Sequence, residues 1–149
     1  LAVVPWSPLG GGILTGKYGP EDLSESKEAG VAADRKGVIS ATGHLTERSL
    51  QIASVVVEIA REIGATPSQV ALAWALHNPA VVAPIIGART VAQAEDNLNA
   101  LSIELDVTHI ARLDQASAPA PIFPGRFIAT PMVQQLVFGG AQVQKRAGQ

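Results

Sequence analysis

Ile85-Ile86-Gly87-Ala88-Arg89-Thr90-Val91-Ala92-Gln93-Ala94-Glu95-Asp96-Asn97-Leu98 is the stretch on which the fold turns. Just before and into it, Val81 to Ile86 is a short apolar run rich in β-branched residues, which reads as a strand covered on both faces, as in a parallel sheet. Gly87 lets the backbone turn. Thr90 is a good N-cap and Gln93, three positions later, completes a capping box, so a helix is expected from about Val91. Such a junction turns first-turn amides and the positive end of a helix dipole outward, which favours a phosphate, and Arg89 adds a fork of charged donors. On the helix, Gln93, Asp96 and Asn97 share one face, while Ala94, Leu98 and Leu101 lie on another. A polar face beside a phosphate site suits an adenine nucleotide. A strand, a glycine and a capped helix also recur without any ligand in α/β proteins, so the spacing alone leaves both readings open.

Far upstream a second junction has the same character. Leu1-Ala2-Val3-Val4-Pro5-Trp6-Ser7-Pro8-Leu9 reads as a buried strand stopped by its prolines, followed by the loop Gly10-Gly11-Gly12-Ile13-Leu14-Thr15-Gly16-Lys17-Tyr18. Three adjacent glycines let a main chain approach a ligand closely, and Lys17 brings a flexible positive charge to the same strand end. Gly11 to Lys17 also has the glycine-lysine spacing of a nucleoside-triphosphate P-loop. That reading fails at the next position, where Tyr18 replaces the magnesium-binding hydroxyl and Gly19-Pro20 replaces the helix.

Between the two junctions, Glu21 to Gly43 has no sustained period and is expected to be a long loop, either a lid or a solvated excursion. From about Thr46 to Ile63, Ile52, Val56, Ile59 and Ile63 recur at helical spacing, and Gly64 ends that helix. Thr66-Pro67-Ser68-Gln69 supplies an N-cap, a proline at the first helical position and a capping-box glutamine for a second helix ending at Asn78-Pro79, with Trp74 in its core. A short helix is expected over Val107 to Ala116. Beyond it Ala118 to Pro124 is proline-rich, and Met132, Val133, Leu136 and Val137 form one apolar helical face before Gly139-Gly140. That helix either crosses the open end of a barrel or lies on the surface.

Composition narrows the function classes. A chain of 149 residues with 47% hydrophobic content and a mean hydropathy of +0.23 is a globular domain, not a disordered one. A net charge of -2 with scattered basic residues gives no support for nucleic-acid binding. With no cysteine, disulfides and thiolate metal sites are excluded, which agrees with a cytoplasmic protein. The longest apolar stretch is interrupted by Pro84 and Gly87, so no membrane span is expected. His44, His77 and His109 lack metal-ligand spacing, and neither a Ser, His and Asp grouping nor a carboxylate pair stands out. No catalytic or metal-binding residue is therefore assigned. The opening at Leu1, directly in a strand-like run, is read as the start of a fragment.

The residues Trp6 to Tyr18, followed by Gly87-Ala88-Arg89-Thr90 with Gln93, Asp96 and Asn97, resemble the C-terminal half of an aldo-keto reductase. The similarity covers the chain to about residue 116 and includes the helix Gln69-Val70-Ala71-Leu72-Ala73-Trp74. It implies an α/β fold, the C-terminal part of a (β/α)8 TIM barrel with the two strands as the seventh and eighth, and residues 118–149 as an extension beyond a barrel part at 1–117. Barrels of this kind often bind phosphate after those strands. The resemblance implies that Trp6 stacks on a nicotinamide ring, that Ser7, Leu9, Gly11 and Lys17 line the pyrophosphate, and that Arg89 meets an adenosine 2′-phosphate. Gly87 then permits close approach, Gln93 contacts the same corner, and Asp96 and Asn97 address the adenine amino edge. The expected cofactor is NADP(H), and the expected chemistry is hydride transfer between NADPH and a small-molecule carbonyl, an aldehyde or ketone. Ala88 stands where some members carry serine, and Pro84 removes a ladder donor from its strand. The family's proton-donor tyrosine and its partners lie on earlier strands, so the chain alone is expected to be inactive and prone to self-association through unpaired edges. The alternative is a noncatalytic relative resembling a potassium-channel β-subunit, which uses the same nucleotide site for regulation.

Overall fold

The computed structural model describes residues 1–25, 38–39, 43–120, 122–139 and 141. After the segment 1–9 the chain winds a 3-10 turn over Gly10–Thr15, then α1 (Pro20–Glu25), α2 (Glu47–Ile63), α3 (Pro67–His77) and α4 (Val91–Leu98). A second 3-10 turn over Asn99–Ser102 leads to α5 (Val107–Ser117), and α6 (Gly125–Ile128) and α7 (Pro131–Phe138) follow. Two units result, Leu1–Ser117 and Ala118–Gln149.

Local chemistry explains the helix ends. Thr46 caps α2, and Ser49 closes a reciprocal box with it. Gly64 then stops α2 in the left-handed conformation at φ 68°, where a side chain would be strained. Thr66 and Gln69 form the expected box ahead of α3, with Pro67 at its first position. The opening of α1 corrects the expectation that Gly19-Pro20 breaks a helix and that everything after it is loop. Pro20 sits at the first helical position, where no donor is needed, and Asp22 accepts from the Gly19 N–H at 2.7 Å. The rest of the expected loop falls largely on residues 26–37 and 40–42, outside the described residues.

The core lies among α2, α3 and α5. Val56, Ile59, Val70 and Leu113 are fully buried, each worth about 1.5–3 kcal/mol in removed apolar surface. Four consecutive residues of α3, Val70 to Ala73, are buried, as befits a helix apolar on most sides; it packs on α2, α4 and both 3-10 turns. Trp74 packs against this core while its indole N–H donates to Asp114 at 2.9 Å, so it joins α3 to α5. On the surface Arg112 of α5 grips Glu62 of α2 at 2.6 and 2.9 Å. His109 lies between Glu62 and Asp106, a structural position.

The two apolar segments depart from expectation. Among the described residues they form no continuous strand, only two isolated parallel bridges, Val3 with Val81 and Trp6 with Ile85. The Val3 N–H donates to Ala80 at 2.7 Å, the Val82 N–H to Val3 at 3.0 Å, and the Ile85 N–H to Pro5 at 2.9 Å. Between the bridges Val4 and Pro5 face three residues, Val82, Ala83 and Pro84, so the register slips by one as in a bulge. Prolines on both sides remove ladder donors where the slip occurs. Nor are the faces covered: Val82 is 59% and Ile85 52% exposed, because among the described residues each segment is bridged only to the other.

In the second unit, α7 ends at Gly139 in the left-handed conformation, φ 55°, near the expected stop. Of its expected apolar face Val133 is buried, whereas Met132, Leu136 and Val137 are exposed. The Gln134 amide donates to the Ile128 carbonyl at 2.6 Å and ties α7 back to α6. No helix among the described residues is long and apolar enough to cross a membrane.

Candidate functional site

The glycine loop is pinned by Ser7, three residues before it. Ser7 adopts φ 55°, a left-handed conformation that a non-glycine residue holds only when its surroundings enforce it. There its carbonyl accepts from the Gly10 N–H at 2.9 Å and its hydroxyl oxygen from the Gly11 N–H at 3.2 Å. Gly11 and Gly12 have φ of 67° and 100°, so the run coils tightly instead of extending as an open loop. Gly12 has a further duty. A Cβ on it would lie 2.8 Å from Lys17 Cε and 2.9 Å from Nζ, so the missing side chain is what lets the lysine fold over the loop. The Lys17 ammonium also sits 4.8 Å from the centre of the Tyr18 ring.

At the second junction Thr90 caps α4, accepting from the Gln93 N–H at 3.2 Å. The reciprocal half of the expected box is displaced by one residue: Gln93 Oε1 accepts from the Arg89 N–H at 2.9 Å, not from Thr90. The glutamine therefore holds the arginine's backbone. Gly87 does not adopt a positive φ, and a Cβ there would meet nothing within 4 Å. Its use is the open space in front of it.

Both junctions line one cleft of about 280 Å³. Of the sequence-predicted residues, Ser7, Leu9, Gly11 and Lys17 come from the first turn, and Gly87, Gln93, Asp96 and Asn97 from the second. Gly12, Thr15 and Ser68 join them. Ser68 was not legible as a site residue, since it enters from the first turn of α3 and reads locally as part of a helix cap. Trp6 and Arg89 lie outside this lining. Trp6, 81% exposed, lines a second, largely apolar cleft of about 720 Å³ that shares Ser7 and Gly11 with the first. Arg89 is exposed, two residues beyond Gly87.

Two polar side chains in the cleft differ sharply. Asp96 is engaged: it accepts from the Thr66 hydroxyl at 3.0 Å and from Gln69 Nε2 at 2.8 Å. Asn97 is only 7% exposed, and its side-chain amide has no hydrogen-bond partner among the described residues. Buried amides are almost always paired, so an orphan one in a cleft is what a ligand-binding group looks like before its ligand arrives. Among the described residues no group of three or more His, Cys, Asp or Glu is placed to hold a metal. Two carboxyls outside the cleft lining are held below their usual range: Glu62 by its hydrogen bond to Arg112, and Asp106 by its bond from Thr108.

The chain is similar to known proteins over most of its length. The chain is 36% identical over 131 residues to an uncharacterised oxidoreductase of Bacillus subtilis, covering 88% of this chain and 35% of that protein. It is 40% identical over 136 residues to an uncharacterised oxidoreductase of Mycobacterium bovis, covering 91% of this chain and 39% of that one. A putative voltage-gated potassium channel subunit beta of Schizosaccharomyces pombe is 40% identical over 96 residues, 64% of this chain and 27% of the other. The chain thus spans well under half the length of these curated relatives. A family model described as the aldo/keto reductase family matches residues 1–118, which takes in both turns and every residue of the cleft, and the chain belongs to that family.

Proposed function

We propose that the cleft is the NADP(H) site of an aldo-keto reductase that reduces aldehydes or ketones to alcohols, and that the two bridged segments are the seventh and eighth strands of its barrel. The observation that carries this reading is the convergence of the lysine turn and the helix junction on one cleft, also lined by the buried Asn97, whose amide has no partner among the described residues. The residues fit a dinucleotide. Lys17 suits a pyrophosphate, the space before Gly87 admits close approach, and Asn97 offers a donor and an acceptor to a base edge. Exposed Arg89, with its backbone fixed by Gln93, is free to pair with a 2′-phosphate, and exposed Trp6 offers a face on which a nicotinamide ring can stack. When bound, NADPH supplies the hydride that a carbonyl accepts. This chain's part is to bind and orient; Tyr18 belongs to the glycine turn, and no proton donor is assigned to it.

A second reading, a nucleotide-binding regulatory protein, is favoured by the similarity to the potassium-channel subunit. Both readings place NADP(H) in the cleft, and carbonyl reduction by the full-length protein separates them. Calorimetric titration of the chain tests the shared part. NADPH is expected to bind more tightly than NADH, and Arg89→Ala to weaken NADPH by about tenfold or more while barely changing NADH, as loss of a charge-assisted contact demands. Equal losses for the two contradict the 2′-phosphate assignment; no binding of either contradicts the cofactor reading.

A further inference from the structure

The cap of α3 does more than end a helix. Its box needs only two bonds: Thr66 Oγ1 accepts from the Gln69 N–H at 3.2 Å and Gln69 Oε1 accepts from the Thr66 N–H at 3.1 Å. Each side chain keeps a donor that capping does not require, the Thr66 hydroxyl hydrogen and the Gln69 amide group. Both are directed at one carboxylate from another helix, Asp96. Oδ1 receives Thr66 and Gln69, whereas Oδ2 shares only the Thr66 hydroxyl, so Oδ2 retains acceptor capacity. Asp96 lines the cleft next in sequence to the unpartnered Asn97. A carboxylate repels phosphate and can accept only from a donor, while the Asn97 amide both donates and accepts. An adenine edge presents a 6-amino donor beside a ring-nitrogen acceptor, the complement of an acceptor next to an amide. Hypoxanthine presents a 6-oxo acceptor in that place, and would set it against Oδ2.

We propose that Thr66 and Gln69 are positioning residues for base recognition: by holding Asp96 they aim its remaining acceptor at the 6-amino group of an adenine base, and so set a preference for adenine over hypoxanthine dinucleotides. This rests on the cofactor reading above. The test is calorimetric titration of the chain with NADPH and with its hypoxanthine analogue. The wild type is expected to favour NADPH by about tenfold or more, the worth of one charge-assisted hydrogen bond. Gln69→Glu keeps an oxygen for the Thr66 N–H, and hence the box, but replaces the donor with a second carboxylate; the preference should fall to about twofold or less with helix content unchanged. Thr66→Ser retains the hydroxyl and should retain the preference. Asp96→Asn leaves the cap intact and should lose it, which keeps the test decisive if Gln69→Glu unfolds α3. A wild type with no preference, or a preference that survives in Gln69→Glu or Asp96→Asn, overturns the base-positioning role while NADPH binding still stands. Failure of the wild type to bind either dinucleotide overturns both.

Discussion

The helical layer of the first unit and its paired segments are built on opposite terms. In α2, α3 and α5, Val56, Ile59, Val70 and Leu113 pack into one cluster drawn from all three helices, and the caps close within four residues in sequence. Among the described residues the segments around Val3 and Ile85 are bridged only to each other, and Val3, Val4, Val82 and Ile85 stand in solvent. Stability therefore resides in the helices, whereas the cleft sits where α3 and α4 meet the turns at the ends of the exposed pair. The lesson is that the two turns lining the cleft are held by helix caps and by Ser7, and not by the bridged segments alone.

The largest expected effect breaks that contrast directly. Ile59→Ala should cost about 2–5 kcal/mol, the range for deleting a fully buried aliphatic side chain, whereas Val4→Ala, half-exposed, should cost under about 1 kcal/mol. Urea denaturation followed by circular dichroism measures both; comparable losses would mean that the segments carry as much core as the helices. Next comes Gly12→Ala. It puts a side chain at φ 100° and into the space of Lys17, so NADPH affinity should fall by about tenfold or more, the worth of one lost charge-assisted contact. Unchanged affinity by calorimetry would remove Lys17 from the pyrophosphate role.

The smallest effect lies on the helical side, at the exposed pairs. Arg112 holds the Glu62 carboxyl below its usual range. A depressed folded-state pKa means that the unfolded chain takes up the proton first. The contribution is thus complete above the ordinary carboxylate pKa and is lost as pH falls through the lowered one. Arg112→Ala should flatten that acid limb slightly in denaturation curves measured at successive pH values, and leave neutral-pH binding of NADPH unchanged.

Legibility follows the same divide. Thr66-Pro67-Gln69, Thr90 and Gly64 were readable because a cap joins residues within a few positions of each other. The cleft's two turns were readable as anion-friendly junctions for the same reason, although Gln93 reaches Arg89 and not Thr90. What resisted reading depends on distance along the chain. Nothing near Asp96 announces Thr66 and Gln69, some thirty residues away, and nothing near Ser68 announces a cleft. The continuous apolar run of residues 81–86 speaks for a covered strand, but coverage is supplied by neighbours, and among the described residues only one is present. Pro20 shows the opposite failure: a residue read as a breaker serves as a helix start.

The account depends on the glycine turn and the α4 junction serving one ligand. Backbone amide spectra of the isotopically labelled chain, recorded by two-dimensional NMR during an NADPH titration, test it most directly. Gly11 and Gly12 should shift together with Gln93 and Asn97, all fitted by a single dissociation constant. Shifts confined to one turn, or two turns that respond with different constants, would contradict it.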